Sequence, residues 1–157
     1  MGLFAFIKEA GEKLFGSGEA HAAGSDPAAN AKAGEAIRNY IDALKLAPAD
    51  LAVAFDGTSS TVTVSGTAPD QATKEKILLA AGNVAGVGQV NDQMTVAAPA
   101  AEARFHTVVR GDTLSAIAKQ YYGNANKYPA IFEANKPMLS HPDKIYPGQV
   151  LRIPEEA

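Results

Sequence analysis

Along the middle of the chain, the hydrophobic and polar positions switch between the periodicity of a helix and that of a strand. Residues 31–46 carry apolar side chains at the spacing of one helical face, and residues 51–55 and 62–64 alternate as half-buried strands do. The stretch around residues 77–81 returns to helical spacing, and residues 90–96 alternate again. The pattern predicts an α+β unit with the order helix, strand, strand, helix, strand. The expected inward-facing residues are Ile37, Ile41, Leu44, Leu51, Val53, Phe55, Val62, Val64, Ile77, Leu78, Ala81, Val90, Met94 and Val96.

One polar residue breaks this pattern. Asp92 falls on the same face of its predicted strand as Met94. Either a bulge in the strand or a position at the edge of the sheet would explain it.

A second unit follows an Ala- and Pro-rich connector at residues 97–103. Residues 105–109 read as a strand, and either Asp112 or Thr113 is suited to cap the next helix. A second helix ends near Asn135, because Pro137 stops it. This unit is therefore predicted as strand, helix, helix, strand, with buried positions at Leu114, Ile117, Ala118, Tyr121, Tyr128, Ile131, Phe132, Val150, Leu151 and Ile153.

The N-terminal segment predicts an amphipathic helix, followed by a flexible Gly-, Ala- and Ser-rich link at residues 16–30. Three interpretations of this helix stay open: docking on the protein's own core, lying on a membrane surface, or breaking at Gly11. A break at Gly11 would leave main-chain carbonyls free to bind something else. The apolar residues of the stripe are Leu3, Phe4, Ile7, Leu14 and Phe15.

Charge and composition exclude several classes of protein. The 157 residues carry 14 Lys and Arg against 17 Asp and Glu, a net charge of −3, which argues against a nucleic-acid-binding protein. The chain has no Cys and no apolar run near the roughly 20 residues of a membrane-spanning helix, so we expect no stable membrane insertion. The apolar run at residues 3–7 is too short for a signal peptide, so we expect a cytoplasmic protein, and nothing demands more than a monomer.

The sequence offers little support for catalysis. His21, His106 and His141 are scattered, and no Ser has an evident base nearby. Glu9 and Glu12 have the spacing of an acid–base pair, but neighbouring lysines make salt links the simpler explanation. We therefore expect a binding protein that is not an enzyme.

Short motifs connect each unit to a known family. Residues 62–66, 74–78 and 84–90 resemble the BON domain, a bacterial module without catalytic chemistry. Residues 105–123 and 143–154 resemble the LysM domain over its whole length. The LysM resemblance implies a shallow groove for N-acetylglucosamine polymers such as peptidoglycan. The matching groove positions are Gly111, Asp112, Thr113, Leu114, Asn135, Pro137 and Ile145.

A purely structural interpretation of these groove residues stands beside the functional one. In it, Gly111 supplies a turn, Asp112 caps the helix and Leu114 fills the core. A cytoplasmic protein meets no murein, which favours the structural interpretation.

The whole layout resembles the small cytoplasmic potassium-binding proteins of enterobacteria, except in residues 16–33 and at Phe15, where the family carries Trp. The resemblance implies one K⁺ ion held by main-chain carbonyls. We expect a K⁺ sensor or buffer that acts in stress and compacts on binding, with the LysM unit as a packing partner or a docking surface for a protein partner. The predicted boundaries are 1–25 for the N-terminal helix and link, 26–98 for BON, 99–104 for a linker and 105–157 for LysM. The implied ligands are Ile7, Ala10, Glu12, Phe15, Gly82 and Val84.

The chemistry of the implied ligands suits a large monovalent cation. Rings of carbonyl oxygens desolvate K⁺, whereas a carboxylate cage favours divalent ions. Gly82 is predicted as a helix C-terminal cap, where carbonyls lack helical partners and the helix dipole attracts a cation. Two other functions remain as alternatives: a peptidoglycan-binding LysM protein, and a membrane-interacting BON protein of osmotic stress.

Overall fold

The structure is a computed structural model of the chain. It describes the backbone of residues 2–5 and the whole of residues 27–84, 87–98, 100 and 103–154. In chain order the elements are β1 (Gly2–Ala5), α1 (Pro27–Ala43), β2 (Ala52–Asp56), β3 (Thr61–Asp70), α2 (Gln71–Gly82), β4 (Gln89–Ala98), β5 (Arg104–Thr107), α3 (Leu114–Tyr122), a short 3-10 helix (Ala125–Lys127), α4 (Tyr128–Ala134) and β6 (Val150–Ile153).

The elements from β1 to β4 form the first unit, called here the BON-like unit. Its four strands lie in the order β1, β4, β3, β2. β3 and β4 run parallel, with Val62 opposite Val90, and α2 makes the crossover that a parallel pair requires. β1 and β2 pair antiparallel with β4 and β3. The predicted order of helix, strand, strand, helix, strand is confirmed, and so is the α+β class.

The core of this unit lies between the sheet and its two helices. Ile37 and Ile41 of α1 are fully buried, as the helical spacing predicts. Gly34 allows α1 to approach β2 closely, because a Cβ at this position would lie 2.9 Å from the carbonyl oxygen of Val53. The other buried apolar residues of this core are Ala33, Leu51, Phe55, Val62, Val64, Ala68, Ile77, Leu78, Ala80, Ala81, Val84, Val87, Val90 and Met94.

The N-terminal helix prediction is wrong for residues Gly2–Ala5, which form the strand β1. These residues pair with β4 from Gly2 opposite Asp92 to Ala5 opposite Gln89. A short apolar run fits a helix or a strand equally well by periodicity, and the open edge of β4 decides the outcome through main-chain hydrogen bonds. The rest of the predicted helix lies outside the described residues.

Asp92 occupies neither a bulge nor a sheet edge. The β3–β4 register runs without interruption from Thr61 opposite Gln89 to Ala68 opposite Val96, and β1 covers the other side of β4. Asp92 is 3% exposed, and its carboxylate lies 3.1 Å from the Lys74 ammonium group. Burial of this aspartate is therefore possible because α2 delivers a cation to it.

The first helix begins and ends earlier than its pattern predicts. α1 starts at Pro27, inside the stretch predicted as flexible link, and it ends at Ala43. Proline is favoured at the first position of a helix, because its missing N–H would have no helical partner there. Lys45, just past the end, has a φ of 62°.

The second unit, called here the LysM-like unit, comprises residues 104–154. β5 and β6 form an antiparallel pair, and α3 and α4 pack against it around Leu114, Ile117 and Ile131. Thr113, and not Asp112, caps α3, because its hydroxyl accepts the N–H of Ala116 at 3.1 Å. The predicted strand, helix, helix, strand order is confirmed.

Helix α2 lies between the two units. Its residues from Ile77 to Gly82 are all buried, so the helix buries more than one face. One face packs on the sheet of the BON-like unit, and the helix also contacts β6 of the LysM-like unit. A helix that is buried on more than one face has a continuous run of apolar residues in its sequence, as residues 77–81 do.

Candidate functional site

The C-terminal end of α2 carries two of the candidate ligands. Asp70 starts the helix by accepting the N–H of Thr73 at 2.7 Å, and hydrogen bonds from the Thr73 hydroxyl and amide lower the pKa of this carboxyl. The helix ends at Gly82, and Asn83 is the C-cap, with its N–H bonded to the Leu79 carbonyl at 2.8 Å. Gly82 is thus the last helical residue. The prediction that Gly82 is the cap is wrong, because Asn83, whose φ is −82°, is the C-cap.

Both candidate ligands at this end are buried. Gly82 lies inside the core, and Val84 is 0% exposed. The Val84 carbonyl accepts the N–H of Val87 at 3.0 Å. Gly82 has no side chain and Val84 has an apolar one, so any polar ligand from these two residues comes from the main chain.

The N-terminal segment enters this region at the same end of the sheet. Ala5, the last residue of β1, lies opposite Gln89, the first residue of β4. Gln89 comes five positions after Val84 in the chain. The candidate ligands Ile7, Ala10, Glu12 and Phe15 lie outside the described residues.

The end of α2 is also joined to the LysM-like unit. The Asn83 side chain donates to the Val150 carbonyl at 2.8 Å and accepts the Val150 N–H at 2.9 Å. Near the start of α2, the Glu75 carboxylate accepts from the Arg152 guanidinium at 2.6 Å. The surface joined by these two contacts is called here the seam.

Glu75 is fully enclosed by partners at the seam. It is 2% exposed, and besides Arg152 it accepts the Gln71 amide at 3.1 Å and the Ala103 N–H at 2.9 Å. Burial lowers the pKa of the neighbouring Lys76, and the positive charge of Arg152 adds to this effect. A buried carboxylate needs this degree of pairing, since each unpartnered oxygen would carry a desolvation cost.

A cavity of about 320 Å³ opens along the seam next to Asn83. Its walls come from both units. The lining residues are Tyr40, Ala80, Asn83, Met138, Leu139, Ser140, Lys144, Tyr146 and Gln149.

The sequence reasoning missed the seam residues Glu75, Asn83 and Arg152. In the sequence, Glu75 stands between two lysines, a pattern typical of a solvent-exposed helix face. Asn83 is typical of a residue that follows a helix. The run of apolar residues at 77–81 was the available signal, because one sheet cannot cover every face of such a helix.

The candidate glycan groove lies in the LysM-like unit. A groove of about 370 Å³ is lined by Thr113, Leu114, Ser115, Tyr128, His141, Pro142 and Asp143. Two of the predicted groove residues, Thr113 and Leu114, are in this lining, although Leu114 is 3% exposed and belongs to the core. The groove also contains His141, Asp143 and Tyr128, none of which was predicted to lie in it, and Tyr128, predicted as buried, is 36% exposed.

The other candidate groove residues have structural surroundings. Gly111 has a φ of 93°, which favours glycine, as expected for a turn. Asp112 accepts the Val109 N–H at 3.0 Å and lies 2.9 Å from the His106 ring, and these two contacts lower its pKa in that order. Pro137 follows a cis peptide bond, and Ile145 packs against the core.

Asn135 is the candidate groove residue most occupied by the fold itself. It is 2% exposed, and its amide nitrogen donates to the carbonyls of Ile131 and Arg152 at 2.7 and 2.9 Å. Its oxygen accepts the Arg152 N–H at 2.8 Å. Asn135 thus holds β6 against α4.

In the part of the chain that the structure describes, no group of three or more His, Cys, Asp or Glu side chains is placed to hold a metal ion. None of the helices described has the length and apolarity that crossing a membrane requires.

Comparison with known families matches both units. The BON domain model matches residues 27–98, and the LysM domain model matches residues 106–154, so the fold defines a BON–LysM protein. Over 156 residues the chain is 49% identical to "Potassium binding protein Kbp" of Escherichia coli O6:H1, covering 99% of this chain and 100% of that protein. The chain belongs to the family of that potassium binding protein.

Two shorter matches involve larger proteins. An uncharacterized protein of Deinococcus radiodurans is 51% identical over 49 residues, which are 31% of this chain and 19% of that protein. An esterase of Mycobacterium tuberculosis strain H37Rv is 50% identical over 48 residues, 31% of this chain and 10% of the esterase. These matches concern one segment, so they carry no argument about the whole chain.

Proposed function

We propose that this protein binds one K⁺ ion through main-chain carbonyl oxygens of two separate segments. The observation that carries the proposal is the 49% identity, over nearly the whole chain, with a relative named for potassium binding. The proposed ligands are the carbonyls of Ile7, Ala10, Glu12, Phe15, Gly82 and Val84.

The geometry of the described part supports the pairing of these segments. β1 ends at Ala5, opposite Gln89, and Gln89 comes five positions after Val84 in the chain. A helix C-terminus carries partial negative charge, which attracts a cation. A site of neutral carbonyls suits K⁺, because divalent ions gain more from carboxylates.

The proposal includes a sensing role. Without the ion, the N-terminal segment has fewer contacts to hold it on the BON-like unit. With the ion, oxygens from both segments meet around one cation, so the protein compacts. We propose further that the protein acts as a cytoplasmic monomer in stress, with the LysM-like unit available to a protein partner.

Melting temperature in KCl and in NaCl at equal ionic strength tests the proposal. A ligand present at 100 times its Kd stabilises the folded state by about 2.7 kcal/mol, which raises the melting temperature of a chain of this size by roughly 5–10 °C. We expect this shift in KCl alone. Equal melting in both salts would refute K⁺ binding.

Location of the site is tested separately from binding. Deletion of residues 1–15 removes four of the six proposed ligands and should abolish the difference between KCl and NaCl. A truncated chain that keeps the full K⁺ effect would place the ion elsewhere while leaving the binding proposal intact.

A second candidate function is peptidoglycan binding. It is favoured by the LysM domain match and by the groove of about 370 Å³ beside Tyr128. Co-sedimentation with insoluble murein tests it, with Tyr128→Ala as the groove variant. Val109→Ala is the matched control, since Val109 is 59% exposed and does not line the groove. Loss of sedimentation in the groove variant alone would support glycan binding, and no sedimentation of the unmodified chain would exclude it.

A further inference from the structure

Asn83 stands between the two candidate ligands at the end of α2 and reaches across the seam. Its backbone forms the helix C-cap, while its side chain makes both hydrogen bonds to the main chain of Val150, at 2.8 and 2.9 Å. Val150 is the first residue of β6 and lies 67 positions away in the chain. One side chain therefore connects the candidate ion site to the LysM-like unit.

We propose that Asn83 is a positioning residue that couples occupancy of the ion site to the docking of β6. This inference rests on the proposed K⁺ function and on Gly82 and Val84 as ligands. The ligand for this site is a desolvated monovalent cation, and the coupled element is the LysM-like unit.

The physical reason is the rigidity that the two bonds impose on residues 82–84. A side chain bonded in both directions to a fixed strand cannot rotate, so the peptide groups on either side of Asn83 keep their orientation. Carbonyls that already point at the ion need not be ordered when it binds, which improves affinity. Coupling of this kind is reciprocal, so the ion must tighten the Asn83–Val150 bonds by the same factor.

The seam does not depend on Asn83 alone. The Glu75–Arg152 ion pair and the Ala103–Glu75 bond join the same two units nearer the start of α2. Removal of the Asn83 amide therefore leaves the units connected. A loss of ion affinity in such a variant reports on positioning and not on separation of the units.

β6 supplies an internal control. Asn135 bonds to Arg152 as Asn83 bonds to Val150, in both directions, but it comes from within the LysM-like unit. The Val150 and Arg152 amides are two residues apart on one strand and each donates to an asparagine oxygen. One of these bonds crosses the seam, and the other does not.

The first experiment measures amide hydrogen exchange of the unmodified full chain by NMR in KCl and in NaCl at equal ionic strength. We expect K⁺ to slow exchange at Val150 at least about 5-fold relative to Arg152, the lower end of typical coupling between sites. If the ratio of the two rates is the same in both salts, the coupling is refuted.

The second experiment measures K⁺ affinity of Asn83→Ala by titration calorimetry. The φ of −82° at Asn83 is accessible to alanine, so the change removes the amide without backbone strain. We expect affinity to fall at least about 5-fold, with Asn39→Ala, which removes an exposed amide of α1, as the control. Unchanged affinity in Asn83→Ala would overturn the inference while K⁺ binding itself stands, and no K⁺ binding by the unmodified chain would overturn both.

Discussion

Glu75 and Arg152 form an ion pair of 2.6 Å across the seam, with side chains 2% and 13% exposed. The two residues come from different units and lie 77 positions apart. Desolvation of two charges is costly, and the Glu75 carboxylate recovers this cost through its other bonds from Gln71 and Ala103. The pair therefore forms one polar network at the seam with Gln71 and Ala103.

The first prediction concerns the loss of one member of this pair. Arg152→Met should destabilise the protein by about 3–5 kcal/mol, because it leaves a buried carboxylate without its cation. Urea unfolding at pH 7 measures the change. The double variant Glu75→Leu with Arg152→Met should lose less than the single variant, since it removes the orphaned charge as well.

An exposed pair at the C-terminal end of α4 is the control for this experiment. Lys136 and Glu133 lie 3.0 Å apart with side chains 46% and 66% exposed. Lys136→Met should cost less than about 1 kcal/mol. A similar loss from the buried and the exposed variant would contradict the role given to burial.

The second prediction concerns the close approach of α1 to β2. Gly34→Ala should destabilise the protein by roughly 1–3 kcal/mol, because its Cβ would lie 2.9 Å from the Val53 carbonyl oxygen. Helix propensity alone predicts the opposite sign, a gain of about 1 kcal/mol. Thermal unfolding distinguishes the two. Asn39→Ala, at an exposed position of the same helix, should be neutral or slightly stabilising. A stabilised Gly34→Ala would show that α1 has room to move away.

The third prediction concerns acid stability of the LysM-like unit. The Val109 amide and the His106 side chain lower the pKa of Asp112 from its usual 3.8. A carboxyl with a folded pKa below its unfolded value stabilises the fold above the unfolded pKa, and this contribution disappears as the pH falls through the folded pKa. Asp112→Asn should therefore reduce stability at pH 7 and make little difference well below pH 3.8.

Urea midpoints between pH 7 and pH 2.5 measure this effect. Asp143→Asn is the matched control, because it removes the same charge from a side chain that is 92% exposed. A gap between the unmodified chain and Asp112→Asn that stays constant with pH would count against the assignment.

The fourth prediction concerns the start of α3. Thr113→Ala should cost about 1 kcal/mol, because the hydroxyl that accepts the Ala116 N–H is lost. Thr113→Ser keeps the hydroxyl and should restore most of the stability. Ser115→Ala, within the same turn, controls for the loss of a hydroxyl as such. If Thr113→Ser is as unstable as Thr113→Ala, the methyl group and not the cap explains the loss.

Periodicity predicted the elements that bury a single face. Ile37 and Ile41 of α1, and Val62 and Val64 of β3, are buried as their spacing indicates. Such patterns are readable because each of these segments buries one face and leaves the other more exposed.

The periodicity failed where a contact with another element decides the conformation or the burial of a residue. Gly2–Ala5 is too short for its rhythm to separate helix from strand, and pairing with β4 makes it a strand. Asp92 was out of place by pattern because its partner, Lys74, comes from another element. At the candidate site, the family resemblance pointed to Gly82 and Val84. The contact of Asn83, which lies between them, could not be predicted, because its partner Val150 is 67 residues away in the chain.

The two asparagines that bond to β6, Asn83 and Asn135, determine how the LysM-like unit would behave in isolation. β5 occupies one side of β6, and the Asn83 and Asn135 amides occupy the main-chain groups of Val150 and Arg152. An uncovered strand edge recruits strands from other molecules and so promotes aggregation. A fragment that contains the LysM-like unit alone lacks Asn83, so the main chain of Val150 is exposed. We therefore expect this fragment to self-associate.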